Sequence, residues 1–182
     1  CLAGEKAVWE PAGKKVLDTL ITEEEFQKLF HLDGWNDVVI RGQGDTHIDD
    51  HHLAEDLGIC LGEAVKKALG DKGGIRRYGS VSIPMDETLC NVATDISGRP
   101  YLVYHSSLKD RRIGGFDSSL LREFFKAFTD HAGITLHINV LYGRNTHHMA
   151  EAIFKAFAHA FKEAVAVERH LSGVLSTKGS LD

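Results

Sequence analysis

The feature that most constrains this chain is a short His-His-x-x-Glu sequence that occurs twice, as His51-His52-Leu53-Ala54-Glu55 and as His147-His148-Met149-Ala150-Glu151. The second copy follows the first by 96 positions at both the leading histidine and the glutamate, and the same offset carries Leu57 onto Ile153, Leu61 onto Phe157, Ala64 onto Ala160 and Lys66 onto Lys162. A period this long does not suit a solenoid and is what a duplicated half-domain gives. If each leading histidine opens a helix, the glutamate four positions on stands above it on the same face, while the adjacent histidine points about 100° away. One helix turn then offers donors to two different centres. A single copy is weak evidence, because adjacent histidines commonly sit on a solvated helix start; two copies in register raise the metal-binding reading. His47, Asp49, Asp50 and Asp56 crowd around the first copy. Imidazole and carboxylate donors with no cysteine beside them suit Mn²⁺, Fe²⁺ or Zn²⁺ rather than a thiolate site.

With 182 residues, 43% of them hydrophobic, the chain can bury a core of useful size. Its net charge of −5 and the lack of any dense Lys/Arg run argue against nucleic acid or an anionic membrane as partner, whereas an anionic small molecule can still bind at a local basic cluster. Cys1, Cys60 and Cys90 are odd in number and show no CxxC spacing, which suits a reducing compartment. No apolar run is long enough to span a bilayer and nothing at the start reads as a signal peptide, so the expected location is the cytoplasm, or the plastid stroma in a plant.

Residues 1–21 read only as strand or loop. Thr22 before Glu23, Glu24 and Glu25 is an N-cap with an acidic first turn, and Phe26, Leu29 and Phe30 supply the apolar face of a helix ending near Gly34. Val38-Val39-Ile40 reads as a short strand. From His51 to Leu69 the positions Leu53, Leu57, Leu61, Val65 and Ala68 keep a helical period closed by Gly70. Strands are expected at Ile75–Ile83, Leu89–Ile96, Tyr101–His105 and Ile134–Leu141, with a helix over Leu120–Phe128 and a polar segment over Lys109–Gly115. A second long helix, His147–Val167, carries Met149, Ile153, Phe157, Phe161 and Val165 as a core stripe. The order helix, strand, histidine cluster, helix thus occurs twice. The fold class this implies is α+β, with two similar halves, residues 1–86 and 87–182, each a sheet covered on one face by helices. Such a half buries little alone, so histidine sites at a junction between halves or subunits, and hence a homo-oligomer, are expected.

Several motifs, in order, point further. His47-Ile48-Asp49-Asp50-His51-His52 with Glu55-Asp56, Pro84-Met85-Asp86-Glu87, Asp95-Ile96-Ser97-Gly98-Arg99-Pro100, Thr135-Leu136-His137, the His147 to Ala156 run and Ser176-Thr177-Lys178-Gly179 together resemble the imidazoleglycerol-phosphate dehydratase family over residues 44–179. The resemblance implies a dehydration in histidine biosynthesis that converts imidazole glycerol phosphate to imidazole acetol phosphate. It also implies two Mn²⁺ ions per active site, and a shell of 24 subunits with sites between them. Carried over residue by residue, it makes His51, His52, Glu55, His147, His148 and Glu151 metal ligands, with a proton-transfer role for Glu55 or Glu151 as a secondary expectation. It makes Arg77, Arg99, Lys155, Ser176 and Lys178 contacts to the phosphorylated substrate. The residue types agree with that role, since Arg and Lys with a Ser hydroxyl are the fork, point-charge and neutral donors a phosphate monoester needs.

The chain departs from the family pattern where the family places one more histidine in the helix before each cluster. Here Glu25 and Glu123 stand at those places, 26 and 24 positions ahead of His51 and His147. Two accounts follow: a dehydratase in which Glu25 and Glu123 serve as extra carboxylate ligands or are misaligned, or a metal-binding and assembly paralogue without lyase activity. The retained basic residues and Ser-Thr-Lys tail favour the enzyme, because a purely structural relative has no need of a substrate site.

Overall fold

The computed structural model describes residues 8–9, 15–16, 50–108, 112–168, 170–171 and 173–177. Two residue pairs, β1 (Val8–Trp9) and β2 (Lys15–Val16), form a small antiparallel ladder. The expected helix after Thr22 and the strand at Val38–Ile40 lie outside the described residues.

Downstream, a four-stranded sheet organises the rest, with neighbours in the order β3 (Tyr78–Met85), β4 (Thr88–Asp95), β8 (Thr135–Tyr142) and β5 (Tyr101–His105). β3 and β4 form an unbroken antiparallel hairpin from Tyr78↔Asp95 to Met85↔Thr88. Its turn holds Asp86 at φ 49°, a left-handed conformation that Asp tolerates better than most residues. The expected boundary between residues 86 and 87 therefore falls at the turn of a hairpin, and the two segments share this sheet. β5 lies parallel to β8, and α2 (Leu120–Ala132) makes the crossover between them. In the segment expected to be merely polar, β6 (Arg112–Ile113) and β7 (Phe116–Asp117) make a tiny hairpin around Gly114, whose φ is 60°.

Alternation decides which face of the sheet is inward. Thr88, Cys90, Val92 and Thr94 of β4 and Leu136, Ile138 and Val140 of β8 are buried, with half-buried or exposed residues between most of them. The helices α2 and α3 (Thr146–Val165) cover that face with Phe125, Phe128, Met149, Ile153 and Phe161. Ala156, Ala160 and Ala164 let β3 approach α3 closely: a Cβ on Gly79 would fall 1.9 Å from the Ala160 carbonyl oxygen. The mixed α+β architecture is the one the sequence implied, with helices on one face.

The helix α1 (His51–Leu69) packs on the far side of α2. Its expected stripe is corrected by the structure. Leu53, Leu57, Leu61 and Ala68 are only half-buried, whereas Ala54, Gly58, Ile59, Gly62 and Val65 lie deepest. The reason is close approach of backbones: Cβ atoms at Gly58 and Gly62 would stand 2.5 and 2.7 Å from the carbonyl oxygens of Phe124 and Phe128. Gly58 faces Phe124–Phe128 and Gly62 faces Phe128–Ala132, so α1 and α2 run parallel. Phe125 meets Phe154 and Phe157, and Phe128 meets Phe157 and Phe161, so α3 runs parallel to them as well. Both histidine pairs consequently stand at the same end of the helix layer, on the two helices that flank α2.

Ends of elements follow local chemistry. Gly133, at φ 67°, closes α2 by returning its N–H to the Thr129 carbonyl. Asn145 caps α3 by accepting the N–H groups of His147 and His148. The expected strand at Ile75–Ile83 begins only at Tyr78, because Arg76 and Arg77 give their N–H groups to Ala166 and Ala164 carbonyls and Ile75 bridges Val167. No helix among the described residues is long and apolar enough to cross a membrane.

Candidate active site

The second histidine pair sits in a frame that begins at the β3–β4 turn. Glu87 lies just before β4, and its Oε1 accepts the backbone N–H groups of Arg144 and Asn145 at 3.0 and 2.7 Å, fixing the connection from β8 into α3. Its other oxygen lies 2.7 Å from His148 Nδ1. A carboxylate only accepts, so Nδ1 carries the proton and Nε2 is left as the basic nitrogen of the neutral ring. Asp86 Oδ2 stands 3.8 Å from that Nε2. The bond to His148, followed by the two backbone donors, holds the Glu87 carboxyl well below the ordinary carboxylate range, and the same bond raises His148.

His147 faces elsewhere, as consecutive helix positions require. Its Nε2 is 3.5 Å from Glu151 Oε2, one turn on, and Glu151 Oε1 is 2.6 Å from Lys155 Nζ. That ammonium is the first cause of a lowered Glu151 pKa, with the His147 and His148 charges contributing less. The two imidazole centroids are 6.3 Å apart and the planes meet at 64°. An open groove of about 760 Å³ runs past Glu87, His147, His148, Arg112 and Arg144. His51, His52 and Glu55 are exposed on the first turn of α1, with centroids of the two rings 6.2 Å apart. Among the described residues, no three His, Cys, Asp or Glu side chains converge closely enough to hold an ion.

The basic residues group around a different carboxylate. Arg77 Nε and Nη2 donate to Asp95 Oδ1 and Oδ2 at 2.7 and 3.1 Å, while Nη1 donates to the Leu175 carbonyl at 2.6 Å. Arg99 Nη2 reaches Asp95 Oδ2 at 3.5 Å, and Ser176 follows Leu175 directly. Lys155 belongs instead with Glu151. Glu123, in the first turn of α2, is paired with Arg122 at 3.1 Å. Lys178 and Glu25 lie outside the described residues. Sequence reasoning gave no role to Glu87, Asp95, Arg112 or Arg144. The strand register sets Asp95 opposite Tyr78 and Glu87 beside the turn, a backbone bond to Glu87 places Arg144, and the small β6–β7 hairpin brings Arg112 to the groove.

The sequence profile described as imidazoleglycerol-phosphate dehydratase matches residues 15–161, a span that contains both histidine pairs. The chain belongs to the imidazoleglycerol-phosphate dehydratase family. It is therefore an enzyme, a hydro-lyase of histidine biosynthesis. The imidazoleglycerol-phosphate dehydratase of Syntrophus aciditrophicus is 58% identical over 171 residues, covering 93% of this chain and 87% of its own. That of Geobacter metallireducens is 56% identical over 153 residues, 84% of this chain and 78% of its own. Among solved structures, the imidazoleglycerol-phosphate dehydratase of Staphylococcus aureus superposes with a TM-score of 0.65 at 48% identity, covering 69% of this chain and 71% of its own. The Pyrococcus furiosus enzyme, solved in complex with (S)-C348, gives 0.64 at 41% identity, over 72% of this chain and 71% of its own.

Proposed function

We propose that the protein removes water from imidazole glycerol phosphate to give imidazole acetol phosphate, with two Mn²⁺-class ions per active site. The observation that carries this reading is the split arrangement at the start of α3, where His147 pairs with Glu151 on one side and His148 is held by Glu87 on the other. The donor chemistry fits such ions: imidazole nitrogens and carboxylates, with Cys90 buried in the core. His51, His52, Glu55, His147, His148 and Glu151 would hold them. Among the described residues each cluster brings fewer than three such donors together, and another copy of the chain would complete the sites, in a homo-oligomer that the family resemblance puts at 24 subunits. Glu25 and Glu123 remain candidates for added donors. An odd number of cysteines with no CxxC spacing suits a reducing setting such as cytoplasm or plastid stroma.

When bound, the ions supply Lewis acidity at the substrate's imidazole, which makes an unactivated C–H removable and lets the neighbouring hydroxyl leave. The protein's own groups do the rest. Glu87 keeps the His148 proton on Nδ1 and so presents Nε2. Glu151, held ionised by Lys155, is a carboxylate positioned to take a proton, and Glu55 is its counterpart on α1. Arg77, Arg99, Lys155, Ser176 and Lys178 bind the phosphate and keep the imidazole end at the histidines.

Two measurements test the reading together. Protein prepared without chelator should contain close to two Mn²⁺-class ions per chain and turn over imidazole glycerol phosphate. His51→Ala and His147→Ala should each lower both quantities. Absence of bound metal after incubation with excess Mn²⁺ would remove the ligand assignment, and an unaltered metal content with no turnover would favour the paralogue.

A further inference from the structure

The Arg77 and Arg99 side chains do not stand free to meet a phosphate. Both converge on Asp95, the last residue of β4, and Arg77 is the more deeply held, its side chain only 11% exposed against 64% for Arg99. Arg77 donates twice to Asp95 and once to the Leu175 carbonyl. Arginine has five N–H donors, so two of the Arg77 donors are left uncommitted by these bonds. The Tyr78 ring, 4.7 Å from the guanidinium carbon, packs against one face of the group. The backbone is pinned too, since Arg77 N–H donates to the Ala164 carbonyl and its own carbonyl accepts from Ile96.

We infer that Asp95 is a positioning residue for the phosphate site: it sets the separation of Arg77 and Arg99 and, through Arg77, fastens the backbone at Leu175 beside Ser176. This rests on the assignment of Arg77, Arg99 and Ser176 to the substrate's phosphate. The paradox it resolves is electrostatic. A carboxylate beside an anion site opposes the anion, and by charge alone its removal should strengthen phosphate binding. If geometry dominates, removal has the opposite sign, because two guanidinium groups released from a common partner repel each other and spread, and the tail loses its anchor.

The test uses the assembled, metal-loaded enzyme, with inorganic phosphate as a competitive inhibitor and imidazole glycerol phosphate as substrate. In Asp95→Asn, KM and the phosphate Ki should each rise about ten-fold or more, the scale of a lost charge-assisted bond, while kcat changes less than about two-fold. A merely structural role would lower the melting temperature and kcat without that selective effect on phosphate. Asp95→Glu keeps the charge but displaces both arginines, so it should raise KM and Ki as well. It also serves if the asparagine variant does not fold. A Ki that falls or stays constant in both variants overturns the inference. Arg77→Ala is the control: if it leaves KM and Ki unchanged, the phosphate assignment itself fails and the role of Asp95 falls with it.

Discussion

At the scale of single residues, one carboxylate governs much of the second histidine cluster. Glu87→Gln keeps an acceptor for the Arg144 and Asn145 N–H groups but turns an amide N–H₂ toward His148, which favours the tautomer with its proton on Nε2. Loss of such a supporting partner typically weakens metal binding about 10- to 100-fold, so Mn²⁺ titration of Glu87→Gln should show a loss in that range at little cost in melting temperature. An unchanged affinity would mean that His148 does not ligate through Nε2. Cys90 gives a second test. Burial pushes its thiol up to about 12 from an ordinary 9.0, so the folded state keeps its proton where the unfolded chain loses it, and stability contributed there drains away as pH rises across that window. At pH 8.5, iodoacetamide should label Cys90 only after denaturation, as mass spectrometry of the peptide would report. The grouping of His147, His148 and Glu151 on one helix turn was legible because spacing alone places them there. The contacts of Glu87 and Asp95 were not, because each reaches a partner 61 or 18 positions away in the sequence.

At the scale of elements, periodicity found each described long helix and strand but misjudged the buried side of α1. Glycine carries no hydrophobic signal, yet Gly58 and Gly62 form the contact with α2. Their replacement shows how much that contact matters. Gly58→Ala gains up to about 1 kcal/mol in helix propensity and loses about 1–3 kcal/mol to overpacking, so chemical denaturation should find it less stable than the parent. Gly79→Ala should be worse, since its Cβ would meet a backbone oxygen of α3 that cannot swing aside. Gly115→Ala, with nothing within 4 Å of the added carbon, is the neutral comparison. Equal stability of the first and last variants would show that α1 and α2 separate without cost.

At the scale of the whole molecule, Tyr101, Leu141 and Tyr142 are 64, 58 and 59% exposed, all near strand ends. Association of copies, which the proposed shared site calls for, would cover such side chains. Light scattering after size exclusion should give a mass many times the 20.1 kDa of one chain, close to 24 copies on the family resemblance, and a monomer at micromolar concentration would contradict shared sites. The duplication was legible from one repeated motif; the exposure of Tyr101, Leu141 and Tyr142 was not, because apolar residues near strand ends follow no period.

The bond from Arg77 to the carbonyl of Leu175 joins positions 98 residues apart. A chain trimmed by carboxypeptidase to end before Leu175 keeps every strand of the four-stranded sheet and all three described helices but loses the carbonyl that Arg77 holds, so on the proposed phosphate role it should fold and yet bind phosphate poorly.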